Sequence, residues 1–151
     1  MSSVPSSPDR GAGRAAAFDA DLAFLRRFAG PVVLLSRAMM AYIFIVEGVG
    51  KITSYASVAA YMQEHGVASG LLPLVILTEL GGGLLVLAGF KTRWAAVALA
   101  GFCLLTAIVV HLAAGETIEV QKNVAMAGGF LVLAVFGPGA WSIDGLFGRA
   151  E

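Results

Sequence analysis

Four apolar runs, each close to the length that crosses a bilayer, constrain this chain more than any other feature. They are PVVLLSRAMMAYIFIVEGV (Pro31–Val49), LLPLVILTELGGGLLVLAG (Leu71–Gly89), WAAVALAGFCLLTAIVVHLAA (Trp94–Ala114) and NVAMAGGFLVLAVFG (Asn123–Gly137). A helix rises 1.5 Å per residue, so about 20 residues cover a hydrocarbon core of about 30 Å. The first three runs meet that length. The fourth is short unless it extends through Lys122, by snorkelling, or toward Trp141; the plainer reading is an interfacial or half-spanning helix. No run alternates with period two, which argues against strands. Lipid offers no partner to backbone N–H and C=O groups, so each span must satisfy its own. The expectation is an all-α integral membrane four-helix bundle with spans at about 31–49, 71–89, 94–114 and 122–138.

Composition agrees. The 151 residues are 58% hydrophobic and only 13% charged, against about 25% charged in soluble domains. The formal charge is zero, which gives no sign of a nucleic-acid partner. Nineteen glycines suit helices that pack closely in lipid. Cys103 is the single cysteine, so neither an intrachain disulfide nor a CxxC relay exists. No glycine-rich nucleotide motif stands between a strand and a helix.

Outside the spans, residues 1–17 begin with a Ser-, Pro- and Gly-rich stretch and are expected to be a disordered tail. Phe18–Ala29 (FDADLAFLRRFA) carries Leu22, Leu25 and Phe28 at spacings of three and is expected to be a short interfacial helix. It lacks the features of a cleaved secretory signal. Ala56–Val67 reads as a short surface helix between spans one and two, closed by Gly66, and residues 148–151 form a C-terminal tail. Arg10, Arg14, Arg26, Arg27, Lys91, Arg93 and Arg149 fall on one side, against Lys51 and Lys122 on the other. The positive-inside rule then places both termini in the cytoplasm.

Arg37 and Glu79 are charges within spans, where insertion of either costs about 2.5–3.5 kcal/mol. Counted from the cytoplasmic ends of their runs, Arg37 lies about 9 Å deep and Glu79 about 15 Å. An extended arginine spans that difference, so a buried Arg37–Glu79 pair is expected. At 100° per residue, Arg37, Gly48 and Lys51 share one helix face with Glu47 beside it; Phe44, Ile45 and Met39 are assigned to lipid. Glu47, Lys51, His111, Lys122 and Asn123 should meet at one height, as a polar cup near the outer leaflet. Each also has a plainer reading: a packing pair, snorkelling lysines, an interfacial histidine. His65 reads as solvated and Cys103 as an inert small residue. No metal site is expected, and a bis-histidine haem would require the distant pair His65 and His111.

In order and spacing these residues resemble the DoxX family of small bacterial membrane proteins, over about Ser36 to Leu146. The resemblance rests on Arg37, on G-x-x-K (Gly48 to Lys51) and on the surface helix closed by Gly66. It continues with ELGGG from Glu79, the turn Gly89-Phe90-Lys91-Thr92-Arg93, the K-N of Lys122 and Asn123, and a late Ser-x-Asp (Ser142 to Asp144). It implies a four-helix protein of the bacterial inner membrane. Some relatives are linked to quinone-coupled oxidation of thiosulfate, and others are described as oxidoreductases or accessory subunits of membrane redox assemblies. Related membrane proteins that handle disulfides use paired cysteines, which this chain lacks. The phenylalanine often found shortly before K-N is replaced here by Val120-Gln121.

Three functional readings follow. The first is a quinone-linked oxidoreductase or redox subunit engaging a quinone or small reductant inside the bundle. Glu79, Arg37 and His111 would then be the catalytic donors and proton carriers, and Lys51, Glu47, Lys122 and Asn123 would hold the cofactor. The second is a non-catalytic scaffold that docks a partner redox enzyme. The third is a small-molecule transporter, as a homo-oligomer, since four spans without internal repeats do not suit alternating access alone.

Overall fold

The computed structural model describes residues 10–148, with side chains from residue 23 onward except Leu25. Its elements follow from the apolar runs. Helix α1 spans Arg10–Thr53, and the short surface helix α2 spans Tyr55–Glu64. Span two, α3, is Ser69–Ala88; span three, α4, is Thr92–His111; span four, α5, is Thr117–Phe136. A final short helix, α6, covers Ile143–Phe147. The four long helices are apolar enough and long enough to cross a membrane, and no strand occurs among the described residues. Span four reaches full length by starting at Thr117, with its polar first turn included.

The N-terminal region departs from expectation. Residues 1–9 of the expected tail lie outside the described residues, and Arg10–Ala17 already belong to α1. No break separates an interfacial helix from span one, because α1 continues through Pro31. Proline removes one backbone donor, and here it does so near the polar end of the span. At 1.5 Å per residue α1 is about 66 Å long, well beyond a hydrocarbon core of about 30 Å.

The spans run up and down in sequence. Helix α1 packs on α3, α3 on α4, and α4 most extensively on α5. Phe44 and Phe130 close the ring between α1 and α5, edge to face with centroids 5.3 Å apart. The core holds Ala41, Phe44, Val86, Ala96, Leu99, Cys103 and Phe130. Phe44 is thus a core residue and not a lipid-facing one. It stands seven residues from Arg37, two helical turns, and so shares the inward face. Met39 does face outward, whereas Ile45 packs against Gly83.

Two spans are not uniform. Leu77–Gly81 in α3 and Ala107–His111 in α4 form single π-helical turns. Such turns widen the helix and re-aim the side chains they carry, and they recur at functional sites. One holds Glu79 and the other ends at His111.

Candidate functional site

Close backbone approaches set the register between α1 and α3. A Cβ on Gly48 would stand 2.8 Å from Leu80 Cβ and 2.9 Å from Leu80 N, so only glycine lets α1 approach this part of the π turn. One on Gly83 would stand 3.2 Å from Phe44 Cβ, and one on Gly89 would fall on Arg37 Nη1. The antiparallel pairs Gly48–Leu80 and Arg37–Gly89 are separated by about 16 Å along α1. Arg37 and Glu79 therefore lie at different levels, and the expected pair between them is not made.

Arg37 is instead a clamp at the end of the bundle where α3 turns into α4. Its side chain is 1% exposed. Nη1 donates to Val86 O at 3.3 Å and Leu87 O at 3.4 Å, and Nη2 donates to Trp141 O. The first two carbonyls lie in the last turn of α3, where a helix carries partial negative charge and lacks intrahelical donors. The expected pair failed because depth was counted from Pro31, whereas register is fixed by glycine contacts. Gly89 takes φ +72° and closes α3 directly beside the guanidinium; a side chain there would meet both backbone strain and Arg37.

The same end is sewn by two further polar groups. Arg93 donates to Ala134 O at 2.8 Å and to Val135 O, capping α5 as Arg37 caps α3. Asp144 accepts the backbone N–H groups of Lys91 and Thr92, both at 2.9 Å, at the N-terminus of α4. Burial opposes ionisation of Asp144, but these hydrogen bonds outweigh it and hold the carboxyl below its ordinary range. The G-x-x-T-R turn and the Ser-x-Asp were visible in the sequence; their mutual contact was not, since Asp144 lies 52 and 53 positions from Thr92 and Lys91.

Glu79 finds a different cation. Lys51 Nζ lies 2.9 Å from Glu79 Oε2 and 3.2 Å from Glu47 Oε2. Glu79 is 6% exposed, while Glu47 is largely open. The Lys51 ammonium is the charged partner of Glu79 Oε2. Glu47, Lys51 and Glu79 form a graded chain of three charges from the bundle surface to its interior.

The remaining residues of the expected cup separate into local pairs. His111 Nδ1 lies 2.7 Å from Glu116 Oε2, and Tyr61 of α2 donates to Glu116 Oε1 at 3.4 Å. The hydrogen bond from His111 holds the Glu116 carboxyl below its ordinary range, with the Tyr61 hydroxyl assisting. Lys122 pairs with Glu119 at 2.5 Å. Asn123 is buried, accepts from Thr106 Oγ1 at 3.3 Å and donates to Glu119 O at 2.9 Å. His65 stacks on Tyr61 with centroids 4.1 Å apart. Glu116 and Tyr61 escaped sequence reading, because a loop carboxylate and a surface-helix tyrosine carry no periodic signal. No group of three or more potential metal ligands occurs among the described residues.

A buried carboxylate within a π turn, neutralised by lysine on a neighbouring span, is an arrangement suited to holding or passing a proton. The DoxX family model matches residues 32–112, which include Arg37, Glu47, Gly48, Lys51 and Glu79. The chain belongs to the DoxX family. Similar proteins include inner membrane protein YqjF of Escherichia coli (strain K12), 49% identical over 120 residues, covering 78% of this chain and 92% of the relative. Inner membrane protein YphA of the same organism is 35% identical over 127 residues, covering 77% and 91%. No solved structure matches significantly. As a DoxX-family integral membrane protein, the chain joins its G-x-x-K and ELGGG motifs into one site: Gly48 admits α3, and Lys51 meets Glu79.

Proposed function

We propose that this protein is a bacterial inner-membrane redox subunit in which Glu79, with Lys51 and Glu47, exchanges protons with a quinone or small reductant. Both termini face the cytoplasm in this reading, so the Glu47 end opens outward. The observation that carries it is the Glu79 carboxylate, buried within a span and paired with Lys51 at 2.9 Å. A carboxylate has about four lone-pair sites, so beyond the one that faces Lys51 it retains capacity to take a proton or to accept a hydrogen bond from a reduced headgroup. Lys51 supplies the complementary donor for a quinone carbonyl. Arg37 has its guanidinium committed to three backbone carbonyls and serves as a clamp. His111, paired with Glu116, lies at the outer end of the proton route, and Lys122 and Asn123 shape the neighbouring surface. Electrons pass directly between quinone and reductant or through a partner enzyme.

A second reading has its own support. The interior is filled, with Leu99, Phe130 and Cys103 fully buried, as suits a scaffold that docks a partner enzyme. Organic extraction of protein purified in mild detergent separates the two. Stoichiometric quinone in wild type that is lost in Glu79→Gln, with the fold retained, supports the redox reading. No quinone in either protein, with partner recovery lost in the variant, supports the scaffold.

A further inference from the structure

Helix α2 lies in a step at the end of the bundle where α1 stops. Gly48 of α1 meets Leu80 of α3. From that level α1 continues five residues to Thr53, about 7 Å, whereas α3 reaches eleven residues to Ser69, about 16 Å. Helix α4, which meets Gly82 through Leu99, rises twelve residues further to His111, about 18 Å. The neighbouring spans thus overtop α1 by about 9 Å, nearly the thickness of one helix. Tyr55 begins α2 two residues after α1 ends, and α2 touches both α1 and the first turn of α3. Tyr61 then reaches across to Glu116, between α4 and α5. The helix therefore lies over the end of α1, above Lys51 and Glu79.

Its attachment is uneven. On the side of α1 and α3 it has two chain connections, Ser54 and the turn at Gly66, which takes φ +73°. Gln63 adds a hydrogen bond to Ser69 Oγ there, at 2.9 Å. Toward α4 and α5, α2 is held among the described residues by the long, exposed hydrogen bond from Tyr61 to Glu116 Oε1, 3.4 Å. Met62 is its single buried residue. An element with so few buried contacts opens locally at a fraction of the global stability. Glu116 is itself fixed, since His111 in the π turn of α4 holds its other oxygen at 2.7 Å. Other routes to Glu79 are closed. The Lys51 ammonium fills the gap toward Glu47, and Leu99, Cys103 and Phe130 fill the interior.

We infer that α2 is a lid over the Lys51–Glu79 pair, hinged beside α1 and α3 and latched by Tyr61 on Glu116. Breaking the latch swings the free edge away from α4, uncovers Met62 and opens an aqueous route to Glu79. The lid regulates the site proposed above and rests on that placement of the site. Its motion is measured without a quinone, so the lid and the redox ligand fail separately.

Thiol labelling of the protein in mild detergent measures the motion, with the buried Cys103 replaced by alanine. Met62→Cys should react with a maleimide far more slowly than Glu64→Cys on the exposed face. Tyr61→Phe and Glu116→Gln should each raise the Met62→Cys rate about fivefold, the usual net worth of one hydrogen bond, and leave Glu64→Cys unchanged. A water-soluble carbodiimide reads access at the site itself, by joining Lys51 to Glu79 as an amide, and needs no change at Met62. That product should rise in the same two variants, whereas the Lys51–Glu47 amide, formed at an open carboxylate, should not. Equal Met62→Cys rates with and without the latch would overturn it. Faster Met62→Cys labelling with unchanged Lys51–Glu79 coupling would overturn the lid, since α2 would then move without covering the site. Both increases in protein that carries no quinone would uphold the lid and retire the redox ligand.

Discussion

Lys51 reaches from α1 to within 2.9 Å of Glu79 on α3, and the contact exists because Gly48, one turn earlier, lets the two backbones close. Removing one partner of a buried ion pair leaves the other charge uncompensated, at about 3–5 kcal/mol. Lys51→Ala should therefore destabilise the protein by about 3 kcal/mol. Glu79→Gln should cost less, since Lys51 keeps Glu47. The double substitution Lys51→Met, Glu79→Met should recover much of the loss. Thermal unfolding in detergent, followed by exposure of the buried Cys103 thiol, checks all three.

Arg37 and Glu79 should behave as independent sites. Arg37→Lys loses the planar fork that serves Val86, Leu87 and Trp141, and should cost about 2–3 kcal/mol. Combined with Glu79→Gln, the two losses should add within about 0.5 kcal/mol, as expected for separated residues without shared partners. A coupling much larger than that in a double-mutant cycle would mean that the two side chains interact.

The Asp144 cap predicts a pH window. Its folded carboxyl titrates below the unfolded value, so the stabilisation is complete above the unfolded range near about pH 4. It is lost as pH falls through the lower folded value. The difference in melting temperature between wild type and Asp144→Asn should be constant at neutral pH and close in acid. A gap that persists unchanged in acid would rule out the charge as its source.

Phe44 provides a test of the packing itself. Phe44→Ala should cost about 3–5 kcal/mol, because it opens a cavity against Phe130 and Gly83. A loss below about 1 kcal/mol, measured by the same thiol-exposure assay, would place Phe44 toward lipid.

Glu116 joins three elements through His111 and Tyr61. Glu116→Gln keeps the shape but removes the charge that both groups meet, and should accelerate hydrogen exchange in Tyr55–Glu64 severalfold. Unchanged exchange there would show that α2 is held by its apolar face alone.

The sequence alone determined the membrane-spanning class, the four spans and the unusual weight of Arg37 and Glu79. These follow from local properties: run length, hydropathy and the cost of charge in hydrocarbon. It also put Gly48 and Lys51 on one polar face of α1, and the structure shows that this face packs on α3. It placed the surface helix over Ala56–Val67, where the helix runs Tyr55–Glu64. It erred on the continuity of α1, on the facing of Phe44 and on the partners of both buried charges. Partner choice between spans depends on axial register and rotation, and in this bundle glycine contacts at Gly48, Gly83 and Gly89 set both. Those contacts join residues that the chain keeps 32 to 52 positions apart, so only the tertiary structure could show that Arg37 grips the end of α3 and Lys51 holds Glu79.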